Sequence, residues 1–393
     1  MPAIVVVTFN RLNSLQRLLR SLERSHYPND AVQLVISVDF GDSEEGSRLR
    51  EFVNEYQWPH GPKRSIQHHQ NLGLRKHVLS CGDLSQEYGR IIVLEDDLSV
   101  ARHFFQFAVR GLDHAAKDER VAGISLYSHA GNLGNGLPFT PLYDGFDNYF
   151  LQIASSWGQA WDSGQWSAFR QWYDSLPDDD LDSIPSDAMI PDHIRGWPKS
   201  SWLKYFIWYL QKADKYFLYP RVSYSTNHSD PGMHCGTKTS RWQVPLASAM
   251  SEPSLSTTEQ SLSLYDAFFE VKPETLRKVS TELVGHDFDV DLWGQKPKRV
   301  LRKPLTLTSR RASNPIKSFP LELKPFEENF STIAKDDEDA YFHLVQQNDR
   351  GPSPTISVAD PVVLQYLFGH LPIRQVFRNA FRYIAPRLFP GRR

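Results

Sequence analysis

Three carboxylates in succession, Glu95-Asp96-Asp97, follow the apolar run Ile91-Ile92-Val93-Leu94 without a break. A short apolar run of this kind reads as a buried strand, so the acids arrive at its end beside a core. Uncompensated, they would cost several kcal/mol or be forced to take up protons. A divalent cation resolves the conflict, because hard cations favour carboxylate oxygen. Such a cation can bridge to a diphosphate and neutralise charge developing on a leaving group. The competing account is pairing with local arginines, with Arg75, Arg90 and Arg102 the nearest candidates.

These acids belong to a series. Residues 3–7 are a mostly β-branched apolar run, and Leu12, Leu15, Leu18, Leu19 and Leu22 then recur at helical spacing. That spacing predicts a helix over 13–24, with Asn13 or Ser14 able to cap it. Further strands are expected over 32–38, 64–67, 91–94 and 121–126, alternating with helices over 44–56, 74–88 and 101–115. Strand–helix alternation with apolar strands means a mostly parallel α/β sheet with helices on both faces. Ligands of such sheets bind beyond the carboxyl ends of the strands. Here four successive strands end in polar groups: Thr8-Phe9-Asn10-Arg11, Asp39, His69-Gln70-Asn71 and Glu95-Asp96-Asp97. The convergence on one rim outweighs any single motif.

These residues resemble a known family. Thr8-Phe9-Asn10-Arg11, Asp39 and Glu95-Asp96-Asp97-Leu98 with Phe104-Phe105 look like a GT-A-fold glycosyltransferase of the N-acetylglucosaminyltransferase type with a Glu-Asp-Asp motif. The later block Ser155-Ser156-Trp157-Gly158-Gln159-Ala160-Trp161 is similar to bacterial sugar transferases acting on surface polysaccharides. The resemblance covers roughly residues 1–235 and implies a Rossmann-like GT-A sheet. It implies that Asp97 ligates Mn²⁺ or Mg²⁺, and that Glu95 and Asp96 face donor sugar and ribose hydroxyls. By the same resemblance Asp39 reads the nucleobase, Arg11 lines the donor pocket, and Asn71 and Arg75 hold the nucleotide. Thr8, Asn10, Trp157 and Gly158 are counted with the donor side. A sugar nucleotidyltransferase or a dinucleotide-binding unit would need a Gly-rich loop after strand one, where this chain has Thr8-Phe9-Asn10-Arg11-Leu12.

An inverting transferase also needs a base within reach of the attacking hydroxyl. The resemblance places it at the start of a helix after the Trp-Gly block, yet Trp197-Pro198-Lys199-Ser200-Ser201-Trp202-Leu203-Lys204 holds no carboxylate. Asp162, Asp192 and Asp230 are the nearby candidates, whereas Asp178-Asp179-Asp180 reads as a solvated turn. His234, in Asp230-Pro231-Gly232-Met233-His234, is a second metal candidate by resemblance, and Cys235 beside it lacks the spaced partners of a zinc site. Seven of the ten tryptophans fall between residues 157 and 208. Most are expected in the core, with Trp157 among those free to present a face to a sugar ring.

Lys plus Arg number 44 and Asp plus Glu 46, a net charge of −2 over 393 residues, which disfavours general nucleic-acid binding. Two cysteines exclude a disulfide scaffold and fit a reducing compartment. There is no secretory leader pattern and no apolar run long enough to span a membrane, so a cytoplasmic protein is expected. Within residues 361–393 there are six arginines and no acid. Arg374, Arg378 and Arg382 line one face of an expected amphipathic helix, which suits an anionic membrane surface. The expected organisation is a nucleotide-sugar half (1–126), an acceptor half (127–245), an accessory α+β region (246–360) and the basic helix (361–393). The expected activity is metal-dependent transfer from a nucleotide diphosphate sugar, a UDP-sugar first, to a saccharide acceptor that a lipid can carry, in bacterial surface glycan synthesis. The alternatives are a non-catalytic saccharide- or nucleotide-sugar-binding protein on the same fold and a sugar nucleotidyltransferase.

Overall fold

The computed structural model describes residues 1–28, 31–177, 184–230, 239–249, 252–336, 338–351 and 361–369. They form two compact units, one of residues 1–134 and 139–275, the other of residues 135–138 and those from Leu276 onward.

The first unit opens with β1 (Ala3–Thr8), every residue of which is buried. In α1 (Leu12–Glu23) the leucines at 15, 18, 19 and 22 form the buried stripe. Arg11, not Asn13 or Ser14, occupies the N-cap, and no side chain caps this helix. There follow β2 (Leu34–Val38), α2 (Glu44–Glu55), β3 (Lys63–Gln67), α3 (Gly73–Asp83), α4 (Ser85–Tyr88) and β4 (Arg90–Glu95). The helix expected over 74–88 is thus two, which end on Gly89 at φ +73°. Next come β5 (Leu98–Val100), α5 (Phe104–Ala115), β6 (Val121–Ser125), β7 (Asn148–Leu151), β8 (Gln159–Asp162), α6 (Ser163–Asp174), α7 (Asp192–Arg195) and α8 (Leu203–Lys212). The unit continues through β9 (Tyr216–Pro220), β10 (Ser225–Asn227) and β11 (Leu264–Tyr265) and ends at Thr275, within α9 (Pro273–Val279).

Nine strands make one sheet in the order β11-β7-β9-β6-β8-β4-β1-β2-β3. β3, β2, β1 and β4 run parallel, β8 runs against β4 and β6, and β9 is parallel to β6. The sheet is therefore mostly parallel, as the alternation predicts. One face carries Ile4, Val6, Ile36, Ile92 and Leu94, which pack with the α1 leucines and with Phe104, Phe105 and Leu112 of α5. On the other face Ser37 meets His77 of α3 at 2.8 Å. There α6 crosses α3 so closely that a Cβ on Gly82 would overlap the Trp166 indole. Helices thus cover both faces.

The second unit contains a four-stranded sheet of β12 (Phe288–Asp291), β13 (Leu305–Thr308), β14 (Lys317–Phe319) and β15 (Phe342–Gln346), in the order β12-β13-β15-β14. β12 and β13 are parallel and the other pairs antiparallel. A short helix, α10 (Pro361–Phe368), follows. The amphipathic stretch 373–384 and its three arginines lie outside the described residues. Among the described residues no helix is long and apolar enough to cross a membrane.

Candidate functional site

The parallel register brings the ends of β1, β2 and β4 to one edge: Val7 lies beside Glu95 and Thr8 beside Val38, which precedes Asp39. The acids do not stand alone there. Thr8 Oγ1 donates to Asp96 Oδ2 at 2.7 Å. Arg11, leaving β1 at the start of α1, donates through Nη1 to Asp97 Oδ2 at 3.1 Å and through Nη2 to Asp96 Oδ1. Asn227 Nδ2 donates to Asp97 Oδ1 at 3.1 Å. The His228 amide donates to the Asp97 carbonyl at 2.9 Å, and the His228 ring meets Ser99 Oγ at the same distance. Asn227 and Ser99 belong to β10 and β5, an antiparallel ribbon that clamps the residues just after the acidic run.

Arg11 therefore takes the role that sequence spacing offered to other arginines. Arg90 turns to Asp113, Arg75 to the Tyr205 hydroxyl, and Arg102 makes no ion pair among the described residues. One guanidinium does not neutralise three acids. Burial, then the charge of Asp97, push the Glu95 carboxyl up to about 8. Burial lifts Asp96 to about 6 even though Arg11 acts against it. Arg11 is held further above its ordinary range by Asp96 and Asp97, against the opposing effect of burial.

Asp39 is buried and its carboxylate is taken up by the backbone. Oδ1 accepts from the amides of Phe40 at 2.9 Å and Leu72 at 2.8 Å, and Oδ2 from Gly73 at 3.1 Å. Asn71 Nδ2 donates to the Phe40 carbonyl at 2.8 Å. Together they staple the end of β2 to the start of α3, on which Arg75 sits with its guanidinium over the Tyr205 ring. Asn10 is partly exposed on the same rim, with no side-chain hydrogen bond among the described residues.

Trp157 also reaches this edge. Gln159 pairs with Val93 across the β4–β8 ladder, so the chain two residues before Gln159 lies toward Glu95. Gly158 bends it there at φ +93°, and a Cβ would crowd Ser225 and Leu126. The Trp157 ring packs on Tyr127 and on Trp242, at centroid distances of 4.7 and 5.2 Å. Trp161, Trp166 and Trp202 are fully buried, as expected for core tryptophans.

The three base candidates separate. Asp162 lies at the wrong end of the sheet, a correction to the sequence reading: it pairs with Arg90 at the start of β4, while the acids follow the end of that strand. Five residues of strand span about 17 Å. Asp162 instead caps α6, accepting from the Gln165 amide at 2.8 Å while Gln165 Oε1 accepts from the Asp162 amide at 3.0 Å. That capping box was legible as Asp-x-x-Gln before an apolar run. Asp192 opens the short α7 and pairs with Arg195 while remaining exposed. Asp230 stands three residues after Asn227 and is held against α1, where it accepts from Ser14 Oγ at 2.7 Å and from Arg17. Burial works to raise the Asp230 carboxyl, but the Arg17 and Ser14 hydrogen bonds prevail and hold it below the usual range. His234 lies outside the described residues.

The tie of Asn227 to Asp97 and those of Ser14 and Arg17 to Asp230 escaped the sequence reading. The polar run Asn227-His228-Ser229-Asp230 was the available signal, but nothing local ties it to residues more than a hundred positions earlier.

Among the described residues no three His, Cys, Asp or Glu side chains form a group that could hold a metal ion. The donor set nonetheless suits a hard cation completed by phosphate oxygens, since magnesium-type sites need only one or two carboxylates besides the substrate. The observation in favour is the excess negative charge: Glu95 has no hydrogen-bonding side chain among the described residues, and its pKa is raised.

No protein-family model matches the chain, and no curated protein matches it. Solved structures do. The TarS 1-349 structure of S. aureus in complex with UDP-GlcNAc is similar at 14% identity and a TM-score of 0.38, over 60% of this chain and 61% of that one. GalNAc-T7 with UDP, GalNAc and Mn²⁺ is similar at 15% identity and 0.38, over 56% of this chain and 42% of that one. The mannosyltransferase PcManGT from Pyrobaculum calidifontis, in complex with GDP-Man and Mn²⁺, is similar at 13% identity and 0.31, over 45% and 48%. The chain spans less than two thirds of the length of each, and each is a likeness in the course of the polypeptide.

Proposed function

We propose that this protein is a GT-A-type glycosyltransferase that moves a sugar from a nucleotide diphosphate, a UDP-sugar first, to a saccharide acceptor. The observation that carries the reading is the strand-end set of Glu95, Asp96 and Asp97, counter-charged among the described residues by Arg11 and tied to β10 through Asn227. A rim with surplus carboxylate and one guanidinium suits a ligand that brings a cation and a diphosphate together. Asp97 would hold Mn²⁺ or Mg²⁺, whose chemistry there is to neutralise charge on the departing diphosphate. Arg11 adds a fixed positive charge on the same side. Asp96, held by Thr8 and Arg11, orients Arg11, and Glu95 offers oxygens to donor hydroxyls. Direct displacement with inversion requires a base on the acceptor side, and Asp230 and Asp192 are the candidates that remain. A membrane-bound glycan acceptor in bacterial surface synthesis is consistent with the basic segment 373–384 and with peripheral attachment at the inner membrane face.

A second reading, a saccharide-binding protein without turnover, is favoured by one feature: both remaining bases are ion-paired, to Arg17 and Arg195. The experiment is donor binding and turnover, by calorimetry and product release, with a set of UDP-sugars in Mn²⁺. Asp97→Asn should weaken metal-dependent donor binding and lower transfer by about a hundredfold or more. Unchanged donor affinity in Mn²⁺ would overturn the role of Asp97, and donor binding with no transfer or hydrolysis would favour the second reading.

A further inference from the structure

We propose that Arg11 is an internal competitor for the cation at Asp97, which makes cation binding conditional on the nucleotide diphosphate. The inference rests on the reading of Asp97 as the metal-holding carboxylate and extends it to a residue that reading places only in the donor pocket.

The Arg11 guanidinium spans two acids. Nη1 reaches Asp97 Oδ2 at 3.1 Å while Nη2 holds Asp96 Oδ1, and Asn227 occupies the other oxygen of Asp97. A divalent cation held by Asp97 would bind through the carboxylate oxygen that now accepts from Nη1. Cation and guanidinium would then lie within a few ångströms on a partly buried rim, where like charges repel strongly. The Asp96 side chain is 1% exposed and that of Arg11 26%. Asp96 therefore needs its counter-charge, and Arg11 has room to turn toward solvent at its outer end. The two halves of the fork have different fates: Nη2 stays on Asp96, and Nη1 must leave Asp97.

A diphosphate changes the balance. Its negative oxygens can accept from the released Nη1 and ligate the cation together, so both positive charges are accommodated once the nucleotide is present. Linkage then requires that cation and diphosphate each strengthen the binding of the other by the same factor. Without the diphosphate, Arg11 keeps the cation weak. Lysine cannot reproduce this, because a single ammonium cannot span two carboxylates with a planar fork.

The test is direct Mn²⁺ binding to the full chain, by electron paramagnetic resonance of free Mn²⁺, with and without UDP as probe. In the absence of UDP, Arg11→Lys and Arg11→Met should bind Mn²⁺ about tenfold more tightly than the wild type. Asp97→Asn should remove the site in either background. The gain in Mn²⁺ affinity on adding UDP should be larger in the wild type than in either Arg11 variant. Arg11→Met strips Asp96 of its counter-charge, so its fold is checked by circular dichroism, and Arg11→Lys, which keeps a charge beside Asp96, stands as the second variant. Equal or weaker Mn²⁺ binding by the variants without UDP overturns the proposal, as does an undiminished UDP effect in them. The UDP-free arm does not depend on catalysis, and donor turnover by the wild type tests the glycosyltransferase reading separately.

Discussion

At Asp39 two physical roles meet on one carboxylate. The sequence places it as an acid at a strand end, and resemblance makes it a reader of a nucleobase. In the fold its oxygens already accept three backbone amides, those of Phe40, Leu72 and Gly73. Strand-end acids are legible because an apolar run followed by a carboxylate has few explanations. The partners of such an acid are not, because they come from turns whose geometry no local pattern specifies. Arg11 is the same case: its type and position were readable, its fork across Asp96 and Asp97 was not. Asp39→Asn keeps the shape but turns an amide donor toward other donors. It should lower unfolding free energy by about 1–3 kcal/mol, read from urea midpoints at constant slope. A variant as stable as the wild type would mean that the amides find other acceptors and that the staple from β2 to α3 is not held by Asp39.

Among the elements, β5 and β10 are the least legible and the most consequential. Each has three residues, too few for a pattern, and they pair across more than a hundred positions. Residues 98–100 therefore carry no assignment in the sequence, whose pattern starts the next helix at 101 where the structure begins it at Phe104. Yet this ribbon brings Asn227 to Asp97. The chain just beyond Asn227 is moored to α1 by Asp230, which accepts from Ser14 and Arg17. Ser14, expected as a cap, serves as this mooring point instead. The paired charges are partly shielded, with side-chain exposures of 27% for Arg17 and 13% for Asp230, so the tie should exceed a surface ion pair. Arg17→Met should free the ribbon. Hydrogen exchange of the His228 amide, which donates to the Asp97 carbonyl, should accelerate about tenfold, a change of roughly 1.4 kcal/mol in local opening. Exchange at the wild-type rate would show that the ribbon is held without Arg17.

For the whole molecule, β1 to β4 and β6 with their helices follow from periodicity, since continuous apolar strands between amphipathic helices leave one architecture open. Beyond Ser125 the sheet is completed by short strands added out of sequence order and partly antiparallel, where a run such as Asn148–Leu151 is hidden in a loop-like composition. The completed sheet buries groups at both its rim and its interior, and they titrate in opposite senses. His77 and His129 are buried, which holds them at about 4 and about 3, below the ordinary histidine value. Between that value and those pKa values the unfolded chain binds protons that the folded chain refuses, so stability falls as pH drops below about 6.5. The cost for His77 alone is on the order of 3 kcal/mol once pH is below its folded value. Glu95 at about 8 and Asp96 at about 6 are raised, so the folded chain keeps protons that the unfolded chain has lost. Their contribution is favourable relative to full ionisation at low pH and fades as pH rises through 6 and then 8. The two trends nearly cancel between about pH 5 and 6.5, and above that the carboxylates dominate. The protein without ligand should therefore have its highest Tm near pH 6 and lose stability toward pH 8.5. Mn²⁺ with UDP supplies the missing counter-charge at the rim and should flatten the alkaline side while leaving the acid side, set by His77 and His129, unchanged. Glu95→Gln should flatten the same side without any ligand. Scanning calorimetry across pH 4.5–9 decides it: an alkaline decline that persists in Glu95→Gln would place its cause outside the acidic strand end.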